Sequence, residues 1–137
     1  MMPTALEANK ALVRRFIEEV WNGRDMAALD QLLAPDYYDH SYMPRDRSGL
    51  EGALALTGRA FPDHETIIES IVAEGDTVAV CETFRGTHGG DFRGLPASGR
   101  QFAVGRYQFF TVAEGRITAH RGLLDLPSLL QQLGAAG

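Results

Sequence analysis

Residues 100–116, RQFAVGRYQFFTVAEGR, decide the fold. Read with a period of two, Phe102, Val104, Arg106, Gln108 and Phe110 fall on one face of an extended chain, and Ala103, Gly105, Tyr107 and Phe109 on the other. Residues 77–88, TVAVCETFRGTH, carry an equivalent face in Val78, Val80, Glu82 and Phe84. HETIIESIVAEGD (64–76) and ITAHRGLL (117–124) share the period, and EGD and AEGR supply tight turns. The second half of the chain therefore reads as about four antiparallel strands.

Upstream the period changes to that of a helix. In ALEANKALVRRFIEEVWNG (5–23), Leu12, Val13, Phe16, Ile17, Val20 and Trp21 form one stripe, and Asn22-Gly23 is a C-terminal stop. Asp25 is placed to cap a shorter helix, MAALDQLLA, whose Met26, Leu29, Leu32 and Leu33 face inward until Pro35. DYYDHSYM (36–43) reads as a short strand or an extended lead-in. In SGLEGALALTGRAF (48–61), Ser48 and Glu51 have the spacing of a capping box, and Pro62 closes that third helix. DLPSLLQQLG (125–134) is a terminal helical turn with Asp125 as N-cap and Gly134 as stop. The order predicts an α+β fold over residues 1–137 as a single domain, with the helices on one face of a curved antiparallel sheet, a cone whose mouth holds a small molecule.

Composition narrows the classes of function. With 137 residues, 45% hydrophobic and 23% charged, the chain is suited to a globular core rather than to disorder. A formal net charge of -5 offers no basic field for a phosphate backbone, so no nucleic-acid partner is expected. No window has the length and apolarity of a membrane span and no leader pattern is visible, which points to a cytoplasmic protein with no membrane partner. The single Cys81 stands in an alternating apolar stretch and reads as a sheet residue. His40, His64, His88 and His120 lack the spacing of a metal site, so no metal is expected. The glycine-rich FRGTHGGDFRGLPASGR (84–100) lacks the GxxxxGK[ST] pattern and opens no helix; it reads as a rim connection between two strands, with His88 on the rim.

Several pieces occur in a fixed order: VWNGRD at a helix end, DYYDH, the turn EGD, RGTHGGDFRGLPASGRQ, the turn EGRI and AHRGLLDLPSLLQQLG. Together they resemble the SnoaL-like polyketide cyclases and ester cyclases of the nuclear-transport-factor-2-like superfamily, over nearly the whole chain. The resemblance implies the cone fold and a cofactor-free site; the superfamily hosts aldol cyclases, isomerases, dehydratases, epoxide hydrolases and non-catalytic binding domains. This chain departs from the family at three positions. Arg121 and Gly122 stand where members often carry a tryptophan and an aspartate after the histidine aligned with His120, and Gln108 stands where many have an aspartate.

The residues suited to chemistry follow from these two sources. Arg106, Gln108 and Glu82 are polar groups on an otherwise apolar face, where buried polar groups must be paired. Glu82 and Arg106 form a cross-strand ion pair, or Arg106 holds an oxyanion or enolate while Gln108 orients a carbonyl. Asp125 is a helix cap or a general acid/base at the cavity mouth, the position at which the family carries an aspartate. His120 faces the pocket or is a satisfied structural histidine. By resemblance, His40 and Tyr38 border the cavity; His40 joins Asp125 and Arg106 as a catalytic candidate, and Tyr38 and Trp21 join Gln108, His120 and Glu82 in substrate contact. The expected reaction is acid/base chemistry on a small apolar carbonyl compound with no cofactor, the rival being a binding domain without turnover. Tyr107, Phe109 and Cys81, on the face opposite the helices, call for a homodimer through the sheet.

Overall fold

The structure is a computed structural model and describes residues 4–135. Its order is helix α1 (Ala5–Arg15), a π-helical continuation (Phe16–Asn22), a 3-10 turn (Met26–Ala28) running into helix α2 (Leu29–Leu32), strand β1 (Leu33–Asp39), helix α3 (Arg47–Ala60), strands β2 (Glu65–Glu74), β3 (Thr77–Thr87), β4 (Gln101–Ala113) and β5 (Arg116–Leu124), and helix α4 (Leu126–Gln132). The five strands form one curved sheet in the order β1-β5-β4-β3-β2. The expected four antiparallel strands are present. To them β1 adds a parallel edge on β5, with Tyr38 opposite Ala119 and Asp39 opposite His120. The parallel edge begins at Leu33, so the segment around Pro35 is strand rather than the end of a helix.

The long first helix changes its winding where its apolar stripe changes spacing. Phe16 and Trp21 are five residues apart and both buried, together with Ile17 and Val20. Bonding to the fifth residue back, as in Gly23 N–H to Glu18 O at 2.8 Å, keeps this set on one face. Asp25 caps as the sequence indicates, accepting from Ala28 N at 3.3 Å. The capping box at Ser48 and Glu51 does not form. Asp46 is the N-cap of α3 and accepts from Ser48 N at 2.9 Å, while Glu51 pairs with Arg47 at 3.5 Å.

The inward face of the sheet follows the predicted alternation. Strand β4 buries Phe102, Val104, Arg106, Gln108, Phe110 and Val112 in turn, and β3 buries Val78, Val80, Glu82 and Phe84. Read along either strand, this face goes from apolar to polar to apolar. Phe84, Phe102 and Val104 belong to a core shared with Phe61, Phe92 and α4. Val78, Val80, Phe110 and Val112 belong to a second core under the N-terminal helices. Glu82, Arg106 and Gln108 lie between the two. The connection over 88–100 is a strand-to-strand link, but His88 is fully buried rather than on the rim; its Nδ1 meets Ser98 Oγ at 2.8 Å and its ring lies 6.1 Å from that of Phe61.

Candidate active site

Between the two cores, α3, the segment 41–43, the turn at 92–93 and the inward faces of β3, β4 and β5 enclose a cavity of about 630 Å3. Its walls are mainly apolar, with Trp21, Phe61, Phe84, Phe92 and Leu124 among them, and Arg106, Gln108 and Tyr42 bring polar atoms to it. Such a pocket suits a small, largely apolar molecule held by a few directed contacts.

Arg106 is fixed from all sides. Register places it opposite Glu82, and its Nε donates to Glu82 Oε1 at 2.8 Å, while one terminal nitrogen donates to Thr66 Oγ1 at 2.6 Å. The guanidinium carbon lies 4.5 Å from the centre of the Trp21 ring and 4.7 Å from that of Phe84, so aromatic rings support it. Its second terminal nitrogen has no partner among the described residues and is the donor left for a molecule in the cavity. The expected ion pair and the expected cavity position are thus both present in one side chain. A buried guanidinium whose charge is balanced by a buried carboxylate, with a donor to spare, is a pre-set electrophile.

Gln108 is engaged at both ends. Its Nε2 contacts the Glu82 oxygens at 2.8 and 2.9 Å, and its Oε1 lies 2.6 Å from His120 Nε2. A carboxylate only accepts, so the Gln108 amide must point its nitrogen at Glu82 and its oxygen at His120, which makes His120 Nε2 a donor. The other ring nitrogen of His120 faces Asp39 Oδ1 at 3.3 Å. Both ring nitrogens are therefore engaged within the wall. Asp39 also accepts from Tyr37 OH at 2.6 Å and from the backbone N–H groups of Ser41 and Tyr42 at 2.8 and 3.1 Å. Burial pushes the Asp39 carboxyl up, but its hydrogen bonds to His120 and Tyr37 and the His120 charge outweigh burial and hold it below its ordinary value. A continuous polar chain therefore runs Asp39, His120, Gln108, Glu82, Arg106, Thr66 through the middle of the sheet.

His120 is buried behind the wall and does not itself line the cavity. The wall is thin there: a Cβ on Gly122 would come within 3.0 Å of His120 Nε2, and Gly122 lines the cavity. Tyr42 stacks on the His120 ring at 5.7 Å and reaches the cavity itself. Burial raises the Tyr42 phenol above its ordinary value, against the pull of the Arg106 charge, so it is a neutral hydroxyl at neutral pH.

The remaining sequence candidates lie apart from these groups. Asp125 is turned to α4, accepting from Ser128 N at 3.2 Å and from the Ser128 hydroxyl at 2.9 Å, although its neighbours Leu124 and Leu126 both line the cavity. His40 packs its ring against Tyr38 at 4.6 Å; neither lines the cavity, and Tyr38 is exposed. Glu82 is fully buried behind Arg106. Sequence reasoning did not single out Tyr42, Asp39, Tyr37 or Thr66. Asp39 and Tyr42 sit in the DYYDHSYM stretch, where the pairing of β1 with β5 was the missing information. Among the described residues no group of three or more His, Cys, Asp or Glu is placed to hold a metal.

The chain matches the SnoaL-like polyketide cyclase family over residues 11–133, which include every lining and network residue named above. It is a member of that family. The aklanonic acid methyl ester cyclase DauD of Streptomyces sp. (strain C5) is 30% identical over 129 residues, covering 90% of this chain and 80% of that protein. Among solved structures, TsrD from Streptomyces laurentii superposes with a TM-score of 0.87 at 30% identity, covering 98% of this chain and all (100%) of that one. IdmH from Streptomyces antibioticus gives a TM-score of 0.84 at 33% identity, covering 93% of this chain and 99% of that one. In this SnoaL-like protein Gln108 and Gly122 both lie against His120 at the cavity wall. No helix among the described residues is long and apolar enough to cross a membrane.

Proposed function

We propose that the protein is a cofactor-independent cyclase that closes a ring in a small, largely apolar carbonyl compound, with an intramolecular aldol reaction as the nearest analogue. The observation that carries this reading is Arg106, stacked between two rings in an apolar cavity and charge-balanced by Glu82, with one guanidinium donor uncommitted. In an aldol closure a base takes the proton next to one carbonyl, the enolate carbon attacks a second carbonyl, and the new alkoxide takes up a proton. Negative charge on oxygen develops in both stages. Arg106 and the neutral Tyr42 hydroxyl are the donors for that oxygen, and the low-polarity walls strengthen their effect. The proton the base has taken goes back to the new alkoxide; His120, both of whose ring nitrogens are held within the wall, takes no part in the transfer and acts by fixing Gln108 and stacking on Tyr42. Asp125 is the proton acceptor at the mouth, releasing Ser128 to act; His40, outside the lining, has no part in this scheme.

Ring closure by this route leaves the mass unchanged, so the test is an isomer shift in chromatography. The compound for which DauD is named, aklanonic acid methyl ester, is the first substrate to try. Asp125→Asn keeps a good helix cap and hence the fold, but removes the base. Loss of about 100-fold or more in turnover is expected, the usual scale for a general acid or base. Wild-type turnover in Asp125→Asn would remove Asp125 from the scheme. A second reading, a binding domain without turnover, is favoured by one observation: none of the described lining residues is a carboxylate or an imidazole. Tight binding of carbonyl compounds with no isomer formed would establish it.

A further inference from the structure

The turn Phe92-Arg93-Gly94-Leu95 is closed by two backbone hydrogen bonds, Phe92 N to Leu95 O at 2.9 Å and Leu95 N to Phe92 O at 2.8 Å. Both central residues have positive φ, 51° at Arg93 and 82° at Gly94. Glycine, asparagine and aspartate take such positions readily; a long side chain there is strained. Arg93 nonetheless occupies it, and Arg93 lines the cavity at its open side.

The side chain is also electrostatically uncommitted. Arg15, Arg47, Arg85 and Arg106 each pair with a carboxylate. Arg93 has neither an ion pair nor a hydrogen bond among the described residues; its guanidinium lies 5.9 Å from the centre of the Phe92 ring. The nearby Asp91 carboxylate accepts from Gly94 N at 3.3 Å, holding the turn. Phe92 in turn packs on Phe61 at 5.0 Å, and both line the cavity. The cavity thus has one cation in its floor, neutralised by Glu82, and a second at its mouth that nothing on the wall neutralises.

We infer that the cavity takes a compound bearing a free acid group, whose carboxylate is received by Arg93 while a carbonyl reaches Arg106. This rests on the same cavity as the cyclase proposal but not on turnover. It separates this chain from DauD, whose name specifies a methyl ester. The strain at Arg93 is then the cost of presenting a cation at that point.

The chain has a single tryptophan, Trp21, in the cavity wall, so quenching of its emission reports occupancy. The probes are anthraquinone-2-carboxylate and its methyl ester, which share a ring system and differ in charge. The acid should bind about fivefold more tightly than the ester at low salt, as for an ion pair at a partly exposed rim, and the preference should shrink as salt is raised. Arg93→Gln should abolish the preference and leave ester affinity unchanged. Arg93→Gly should do the same while raising Tm, because glycine removes the strain. Equal binding of acid and ester to wild type, or a preference that survives in Arg93→Gln, would overturn the inference while leaving the cavity as a site. Failure of both probes to bind, with Arg106→Met no different from wild type, would overturn the cavity reading and this inference with it.

Discussion

In the proposed reaction Arg106 serves structure and site together, and its substitution should show both. Arg106→Met leaves Glu82 buried with only Gln108 to satisfy it, a break expected to cost about 3 kcal/mol or more. Adding Glu82→Gln removes the stranded charge and should recover most of that loss in thermal or urea unfolding. Ligand affinity should not recover, because the donor to the cavity is still missing. Recovery of both would make Arg106 purely structural. His64 offers a second residue-level test. Burial, assisted by the positive charges of Arg24 and Arg106, lowers it from 6.5 to about 4, and its Nδ1 is buried without a partner. The fold therefore holds the neutral ring, and unfolding takes up a proton between these values. His64 is tolerated fully above pH 6.5 and costs increasingly more as pH falls toward 4, by up to roughly 3 kcal/mol. His64→Phe should lose less Tm than wild type over that window; parallel curves would contradict the assignment.

At the scale of elements, alternation in β3 and β4 was legible because side-chain direction in a strand is fixed by position alone, and the pairing of Glu82 with Arg106 followed from it. Caps were legible where one residue offered an acceptor, as at Asp25 and Asp125. At α3 two acceptors compete, and Asp46 wins over Ser48. Asp46→Ala should cost about 1 kcal/mol, and Ser48→Ala less, measured by denaturant unfolding. The site was half legible. Its floor lies on β3 and β4, whose pairing is local in sequence. Asp39 and Tyr42 were hidden because β1 returns in parallel beside β5, some 80 residues later, and no local pattern announces that contact. The buried His88 was missed for a similar reason: the link at 88–100 is drawn against α3, with Gly89 N and Gly90 N both donating to Ala60 O at 3.0 Å. A Cβ on Gly90 would fall 2.1 Å from Arg59 O, so Gly90→Ala should lower Tm markedly, and a neutral result would contradict that close approach.

For the whole molecule, two apolar cores with a polar belt and a cavity between them explain how so short a chain keeps buried charges without losing its fold. The outer face of the sheet is a separate matter. Tyr107 and Phe109 are about half exposed, at 49% and 52%, and Leu123 more so at 72%. We propose that a homodimer covers this face, and a monomeric mass by light scattering at micromolar concentration would count against it. In the proposed reaction Arg106 stabilises developing negative charge on a substrate oxygen. The most direct measurement of that role is turnover of aklanonic acid methyl ester, and of the corresponding free acid, to an isomer of equal mass, comparing wild type with the folded double variant Glu82→Gln, Arg106→Met at matched Tm. Loss of an oxyanion donor predicts a fall of about 100-fold or more with the fold intact; turnover in the double variant equal to wild type would contradict the account.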